Sequence, residues 1–216
     1  MACGEYGPGR MAEPLEIVAA VEVALGDGPL KGRHVIVTSG PTHEPIDPVC
    51  YIASRSSGAQ GAALAVALRD LGARVSFVTG PSAVPAPAGV TVVPVETAAE
   101  MLAAVDAALP ADAAVFAAAV ADWRVANVSA SKLKKDATGR PPALEFAQNP
   151  DILAHVAGLR SGRPALVVGF AAETDAVLAH ASAKRLKKGC DWILANDVRP
   201  ETGIMGGPEN AVTLVT

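Results

Sequence analysis

The feature that most constrains this fold is a regular alternation of apolar runs with segments of helical periodicity, which begins near residue 34. The apolar runs predict buried strands at 34–40, 74–80, 89–96, 111–120, 165–173 and 191–197. Helical segments lie between them, at 58–72, 97–109, 151–159 and 177–188. Continuously apolar strands that alternate with helices are typical of parallel sheets covered on both faces. We therefore predict an α/β fold, a Rossmann-like, doubly wound and mostly parallel sheet with helices on both faces.

Local signals refine this prediction. Thr97 followed by Glu100 is a capping-box pattern and predicts a helix start. We predict that the segment PALEFAQ (142–148) is a strand that stands outside the main sheet, as a small strand or hairpin extension used in dimerisation. The last residues, ENAVTLVT, are predicted to be extended.

Composition excludes several classes of function. The net charge is −4, which disfavours a general nucleic-acid or membrane-surface role. No apolar run is long enough to span a bilayer and no signal peptide is evident, so we expect no membrane partner. Cys3, Cys50 and Cys190 lie far apart, which disfavours a zinc site or a disulfide framework and favours a reducing, cytoplasmic setting.

Three features indicate a polyanionic small-molecule ligand at the carboxyl ends of the strands. Ser56, Gly58 and Gly61 open a helix, where N–H groups favour phosphate, although Gly61 could instead allow close packing on the sheet. Lys132 begins a lysine cluster in a loop, which could equally be a solvated run. Lys184 and Lys188 lie four residues apart on one helix; proximity to the helix C-terminus is the alternative explanation for that pair.

A dinucleotide cofactor is disfavoured by the same strand ends. The first strand leads into SGPTHEP rather than GxGxxG, and the second ends in Gly-Pro where an acidic ribose-binding residue is expected.

Eight motifs in order carry a resemblance to a known family: TSGPTHEPIDPV, SSG, AAVADW, KLKK, NPDIL, VGFAAET, AKRLKKG and ANDV. Together they resemble phosphopantothenoylcysteine synthetase, the ligase domain of the bacterial bifunctional coenzyme A biosynthesis proteins. The resemblance runs from about Leu30 to Thr216, and we assign 34–216 to a synthetase-like domain.

The opening ACGEYGPGRMAEP resembles the end of the decarboxylase domain that precedes the synthetase in that family. This resemblance implies that residues 1–33 are a remnant and linker, with Cys3 as the decarboxylase's catalytic cysteine. It also implies that FMN belongs only to the absent decarboxylase domain, which is fused to the ligase in the parent protein. Because the family continues beyond the sequence LVT, we expect a C-terminal truncation.

The resemblance implies CTP-dependent ligation of 4′-phosphopantothenate to L-cysteine through an acyl-cytidylate, with Mg²⁺ (or Mn²⁺) as the metal. Lys132 would be catalytic, together with Ser54. The residues it assigns to CTP are Ser56, Gly58, Gly61, Phe116, Ala117, Ala118, Asp122, Lys132, Asn149, Pro150, Asp151, Ile152, Phe170, Lys184 and Lys188. Phosphopantothenate would contact Cys50, Ser54 and Ala118, and Asp122 would help to organise the metal. The family is dimeric, with active sites that borrow residues from the partner subunit.

The sequence departs from the family at the stretch CYIASRSSGAQG, residues 50–61. Cys50 replaces an arginine, Ser54 an asparagine and Ala59 a common lysine. A neutral thiol cannot reproduce the bidentate hydrogen bonds that a guanidinium group donates to phosphate. Three hypotheses follow: an active ligase with unusual substrate contacts, a nucleotide-binding but catalytically impaired paralogue, or a ligase for a different carboxylic acid.

Overall fold

A computed structural model describes residues 28–203 and 210–216. Cys3 and most of the predicted remnant and linker, residues 1–27, lie outside the described residues. The strands are β1 His34–Ser39, β2 His43–Pro45, β3 Tyr51–Ala53, β4 Arg74–Thr79, β5 Thr91–Pro94, β6 Ala113–Phe116, β7 Trp123–Val125, β8 Phe146–Gln148, β9 Leu166–Glu173, β10 Trp192–Asp197 and β11 Thr213–Val215. The helices are α1 Ala59–Asp70, α2 Ala98–Ala108, α3 Ile152–Ala157 and α4 Val177–Lys188.

Seven strands form one sheet in the order β11-β10-β9-β6-β1-β4-β5. Every neighbouring pair is parallel except β10 with β11, where Leu194 pairs with Leu214 in antiparallel register. The sequence-based prediction of a mostly parallel α/β sheet is confirmed. The antiparallel edge strand is the extended C-terminal segment of the prediction.

The helices pack on both faces of the sheet, which is also as predicted. Buried residues of α2, α3 and α4 share one core cluster with β-strand residues such as Ile36 and Val167. The opposite face carries a second cluster in which Ala62 and Ala65 of α1 contact Val37 and Phe77. Small side chains dominate α1, so its backbone lies close to the strands it covers. No helix among the described residues is both long and apolar enough to cross a membrane.

Several of the predicted strands are shorter than the runs that suggested them; the run 89–96, for example, forms β5 only over Thr91–Pro94. The run 111–120 forms a regular strand only at β6; beyond it, the chain follows the segment after β1 through single hydrogen bonds and an isolated parallel bridge between Pro41 and Ala119. There the N–H of Ala119 donates to the carbonyl of Gly40 at 2.9 Å. The run 142–148 becomes β8, which pairs with β7 in a separate antiparallel ribbon. A strand outside the main sheet was predicted here, and this is confirmed; a role in dimerisation stays a prediction.

A second small ribbon, β2 with β3, forms from the residues that follow β1. Glu44 of β2 is buried, and its carboxylate accepts a hydrogen bond from the N–H of Ala98 at the start of α2. Thr97 and Glu100 form the predicted capping box at the same helix end. The ribbon is therefore tied to the main domain through a helix N-terminus.

Candidate functional site

A cavity of about 180 Å³ lies where β1, β6 and β9 meet the starts and ends of two helices. Thr38 and Phe116, near the ends of β1 and β6, and Phe170 of β9 form its strand side. Asp151 at the start of α3 and two lysines of α4 bring charge to it. The complete lining is Thr38, Phe116, Ala118, Val120, Ala121, Asp122, Gln148, Asn149, Pro150, Asp151, Ile152, Leu153, Phe170, Lys184 and Lys188.

Most of the residues that the sequence assigned to a nucleotide meet in this one cavity. The structure brings together Phe116, Ala118, Asp122, Asn149, Pro150, Asp151, Ile152, Phe170, Lys184 and Lys188. They come from four separate stretches of chain, so their convergence is a property of the fold. The remaining candidates lie elsewhere: Ala117, Lys132, Ser56, Gly58, Gly61, Cys50 and Ser54 do not line the cavity.

The two lysines of the cavity are in different electrostatic states. Burial lowers the pKa of Lys184 below its usual value, and the nearby charge of Lys188 acts in the same direction. The carboxylates of Glu173, Asp122 and Asp151 oppose this lowering of the pKa but do not cancel it. Lys184 has no salt-bridge partner among the described residues, so its ammonium group is available to an anion that enters the cavity.

Lys188 is already engaged. Its ammonium group forms an ion pair with Asp151, whose other oxygen accepts the N–H of Ala154 and thereby caps α3. Burial by itself would raise the pKa of Asp151, but the hydrogen bonds from Lys188 and Ala154 and the lysine charges lower it overall. The pair fixes Lys188 at the mouth of the site. Lys184 and Lys188 therefore combine one unpaired cation with one that is held in place.

Asn149 was assigned to CTP by the resemblance, yet its side chain is hydrogen-bonded within the protein. The amide nitrogen donates to the carbonyl of Ala121 at 2.8 Å, and the amide oxygen accepts from Arg124 at 3.4 Å. The backbone N–H of Asn149 also donates to the carbonyl of Asp122 at 2.9 Å. Asn149 is 7% exposed. It braces the two segments that form this wall of the cavity.

The backbone N–H groups of the alanines after β6 also form hydrogen bonds within the protein. The N–H of Ala117 donates to the carbonyl of Thr38 at 3.2 Å, and that of Ala118 to the hydroxyl of Thr38 at 3.3 Å. These bonds continue the contact with β1 past the end of β6. Ala118 lies on the cavity wall, whereas Ala117 does not. Small side chains here allow a planar group to approach the backbone closely.

The start of α1 shows why its glycines are needed for packing. A Cβ on Gly61 would lie 2.4 Å from the Ser39 hydroxyl oxygen and 2.5 Å from the Ser39 Cβ. Gly58 has a φ of 77° and precedes the first helical residue, where a side chain would be strained and would meet Ser82. Close packing, the alternative explanation for Gly61, therefore applies. Ser56 is half-buried, and its hydroxyl accepts the N–H of Gly58 at 3.3 Å.

Cys50, Ser54 and Lys132 lie on a second surface, around the β2–β3 hairpin. Cys50 is exposed at the end of the hairpin turn and Ser54 is exposed just after β3. Lys132 is exposed, as predicted, in the loop 129–135 that contacts the same turn through Asp47. The Lys132 loop thus belongs with the hairpin rather than with the cavity.

No group of three or more histidine, cysteine, aspartate or glutamate side chains within 28–203 and 210–216 could hold a metal ion. Mg²⁺ commonly binds one or two carboxylates together with substrate phosphates. Asp122 is exposed on the cavity wall and fits that pattern, whereas Asp151 is occupied by Lys188. The donor set therefore fits a metal that arrives with a polyphosphate ligand.

The sequence reasoning missed five lining residues, Thr38, Val120, Ala121, Gln148 and Leu153. Thr38 looked like an ordinary strand residue, but a threonine within an otherwise apolar run is a weak signal of a polar strand end. Gln148 directly precedes the NPDIL motif and could have been included with it. Val120, Ala121 and Leu153 carry no chemical signal.

Known proteins share both sequence and fold with this chain. The family model described as DNA/pantothenate metabolism flavoprotein C-terminal domain matches residues 30–216. The chain is 46% identical over 99% of its length to the coenzyme A biosynthesis bifunctional protein CoaBC of Escherichia coli (strain K12), and 44% identical to that of Vibrio vulnificus (strain YJ016). In each case it spans 53% of the relative, about half its length.

The crystal structure of the C-terminal domain of CoaBC superposes with a TM-score of 0.68 at 33% identity, covering 87% of both chains. The Cab2 mutant H337A in complex with phosphopantothenate-cysteine has a TM-score of 0.64, covering 96% of this chain and 89% of that one. At 15% identity, that second likeness shows a shared fold only. From the family model and these relatives, the chain belongs to the DNA/pantothenate metabolism flavoprotein C-terminal domain family.

Proposed function

We propose that this chain is a ligase of coenzyme A biosynthesis that uses CTP to join 4′-phosphopantothenate to L-cysteine. Its curated relatives are named as coenzyme A biosynthesis proteins, and a solved structure of the same fold is a complex with phosphopantothenate-cysteine. The observation that carries the proposal is the cavity itself. It contains a desolvated, unpaired lysine beside a fixed one, and this arrangement suits a polyphosphate.

The proposed reaction has two steps. The carboxylate of phosphopantothenate attacks the α-phosphorus of CTP, so that the bond to the β-phosphate breaks and pyrophosphate leaves. The amine of cysteine then attacks the acyl carbon, and CMP leaves as the new amide forms. Both reactants of the first step are anions, so their approach requires cationic groups around the phosphates.

The lysines of the site meet this electrostatic need. Lys184 lies in a partly desolvated position, where its charge acts more strongly on a phosphate than it would in water. Lys188 adds a second charge whose position is fixed by Asp151. Lys132 would act from the hairpin side. Mg²⁺, or Mn²⁺ in its place, would further neutralise the phosphates, with Asp122 as the protein residue that could hold it.

The wall of the cavity suits a nucleoside. Phe116 and Phe170 offer aromatic surface, while Ala118 and the segment 149–152 form a narrow boundary of small and backbone groups. We propose CTP rather than another triphosphate because the motifs resemble a CTP-dependent family. Competition with ATP tests this choice of base.

We also propose that the chain works as a homodimer and that the two small ribbons contribute to the interface. Large apolar side chains are exposed on them: Val49 and Tyr51 at the first ribbon, Trp123 and Phe146 on the second. Exposed apolar clusters of this kind mark interaction surfaces. Light scattering on the purified chain tests the assembly, and a monomer at micromolar concentration would contradict it. In the parent protein, the decarboxylase domain would be fused before this chain.

The decisive experiment incubates the protein with CTP, Mg²⁺ and phosphopantothenate, with and without cysteine. We expect pyrophosphate and an acyl-cytidylate without cysteine, and phosphopantothenoylcysteine with CMP when cysteine is present, each identified by mass spectrometry. Parallel reactions without CTP serve as the negative control. Absence of pyrophosphate from the intact protein under all conditions would refute the proposed ligase activity.

A second candidate function follows from Cys50 and Ser54, which are exposed and uncharged on the hairpin. With no cation at either position, the chain would bind CTP but convert phosphopantothenate slowly. Alternatively, it would activate a different carboxylic acid, one that carries no phosphate group. Saturable CTP binding, with no release of pyrophosphate from CTP when phosphopantothenate is present, would favour this second candidate function. Release with pantothenate itself, the acid without the phosphate, would identify the different-acid ligase.

A further inference from the structure

We propose that Asp47 is a positioning residue, which holds the loop 129–135 against the β2–β3 hairpin and thereby fixes where Lys132 can act. This inference rests on the proposed function for its catalytic consequence, because Lys132 is a candidate for that reaction. Its structural part, the attachment of one loop to another by a single carboxylate, stands independently.

The hydrogen bonds of Asp47 define the attachment. One carboxylate oxygen accepts the N–H of Val49 at 2.7 Å and that of Cys50 at 2.8 Å, which shapes the hairpin turn. The other oxygen accepts the N–H of Leu133 at 3.0 Å, across 86 positions of sequence. Asp47 is 7% exposed. One buried carboxylate therefore serves two segments of chain at once.

A second contact supports the same junction. The N–H of Ser129 donates to the carbonyl of Ile46 at 3.0 Å, so the loop is attached at its beginning as well as at Leu133. Ser129 and Ser131 then close a local turn, in which the N–H of Ser131 donates to the Ser129 hydroxyl at 3.3 Å. Lys132 lies between the local turn and the Asp47 contact.

The charge of Asp47 strengthens the attachment. Hydrogen bonds from the N–H groups of Leu133, Val49 and Cys50, together with the charge of Lys132, lower the pKa of Asp47 even though desolvation opposes this. The carboxylate is therefore ionised at neutral pH, and its hydrogen bonds are charge-assisted. A depressed carboxyl pKa stabilises the folded arrangement above the ordinary pKa, and this stabilisation is lost as pH falls through the lowered value.

The attachment matters because Lys132 itself is exposed and makes no ion pair with a described residue. A lysine on a mobile loop loses conformational freedom when it binds phosphate, and that loss weakens binding. A loop already held in place avoids most of it. The lysine can then act at one position relative to the hairpin that carries Cys50.

The test compares Asp47→Asn with Asp136→Asn. Asparagine keeps one acceptor oxygen for the hairpin turn but presents an NH₂ group in place of the second oxygen, so it cannot also hold Leu133. Asp136 is a matched control, because it accepts N–H groups of Thr138 and Arg140 within its own turn and its pKa is lowered in the same way. It makes no contact with the hairpin that the structure records.

Hydrogen exchange on the intact chain measures how firmly the loop is attached, and this measurement does not depend on ligase activity. We expect the Leu133 amide in Asp47→Asn to exchange at least about tenfold faster, the loss expected for one charge-assisted hydrogen bond. Trypsin cleavage after Lys132, the bond next to the Leu133 amide, should accelerate in parallel. Asp136→Asn should change neither. Unchanged exchange at Leu133 in a folded Asp47→Asn protein would overturn the inference.

Steady-state kinetics measure the effect of the attachment on catalysis. We expect Asp47→Asn to lower kcat/KM for CTP about tenfold, chiefly by raising KM, and to have no further effect when combined with Lys132→Ala. Faster exchange with unaltered kinetics would refute the positioning role and leave only a structural contact. If the unmodified chain has no ligase activity, the proposed function fails, and the exchange experiment still decides whether Asp47 holds the loop.

Discussion

Replacing Lys184 with methionine should separate nucleotide binding from stability. The side chain keeps most of its aliphatic length but loses the ammonium group. In the folded protein, burial and Lys188 lower the pKa of Lys184, so its charged form is disfavoured relative to the unfolded chain. A lysine whose folded pKa is lowered costs stability at every pH below that pKa, and the cost disappears above the unfolded value.

Two changes are expected, one in the affinity for CTP and one in the free energy of unfolding. A charge-assisted hydrogen bond contributes about 1.5–3 kcal/mol. Its loss therefore corresponds to a drop in CTP affinity of about tenfold to a hundredfold. The free energy of unfolding should stay the same or rise, since a desolvated charge without a salt-bridge partner has been removed. Most core substitutions do the opposite.

Titration calorimetry with CTP and Mg²⁺, together with urea unfolding, measures both quantities. Lys187→Met is the matched control, because Lys187 lies on the same helix but is exposed and does not line the cavity. We expect Lys187→Met to bind CTP as the original chain does. Equal CTP affinity in Lys184→Met and Lys187→Met would refute the assignment of Lys184. A large loss of stability in Lys184→Met would refute the electrostatic argument.

Three further predictions concern other parts of the molecule. Lys132→Ala should raise the KM for CTP by about tenfold or more with no change in thermal unfolding, because its side chain is exposed; unchanged kinetics would remove it from the site. Gly61→Ala should lower the free energy of unfolding in urea by about 1–3 kcal/mol through its contact with Ser39, and a second substitution, Ser39→Gly, should restore part of the loss. CTP affinity should fall as pH rises through the lowered pKa of Lys184, earlier than for an ordinary lysine, since phosphate favours the protonated form; in Lys184→Arg the fall should disappear, and an identical pH profile for both proteins would contradict this.

Much of the fold could be predicted from the sequence because its signals are local. Each strand of the sheet is a short apolar run, and the capping box at Thr97 marks the start of α2 within the chain itself. The order of strands in the sheet requires knowledge of which runs neighbour each other, and no local signal gives that. The length of β6 depends on where its regular pairing with β1 ends, after Phe116, and this is a tertiary effect.

The candidate site was predictable in its composition but not in its internal contacts. Lys184 and Lys188 look equivalent in the sequence, yet only Lys188 has a carboxylate partner, and Asp151 lies 37 positions away from it. Asn149 looked like a ligand residue, but its hydrogen bonds to Ala121 and Arg124 form only once the two segments meet. Which polar groups remain available after folding is decided by such long-range partners.

The separation of the β2–β3 ribbon from the seven-stranded sheet has a consequence for the cost of substitutions. Cys50 and Ser54 are exposed on a piece that adds no strand to the main sheet, so substitutions there leave the packed layers intact. Exposed substitutions of this kind usually alter stability by less than about 0.5 kcal/mol. Substitutions on this ribbon therefore cost little stability, whereas the cavity residues near the ends of β1 and β6 are embedded in the packed sheet.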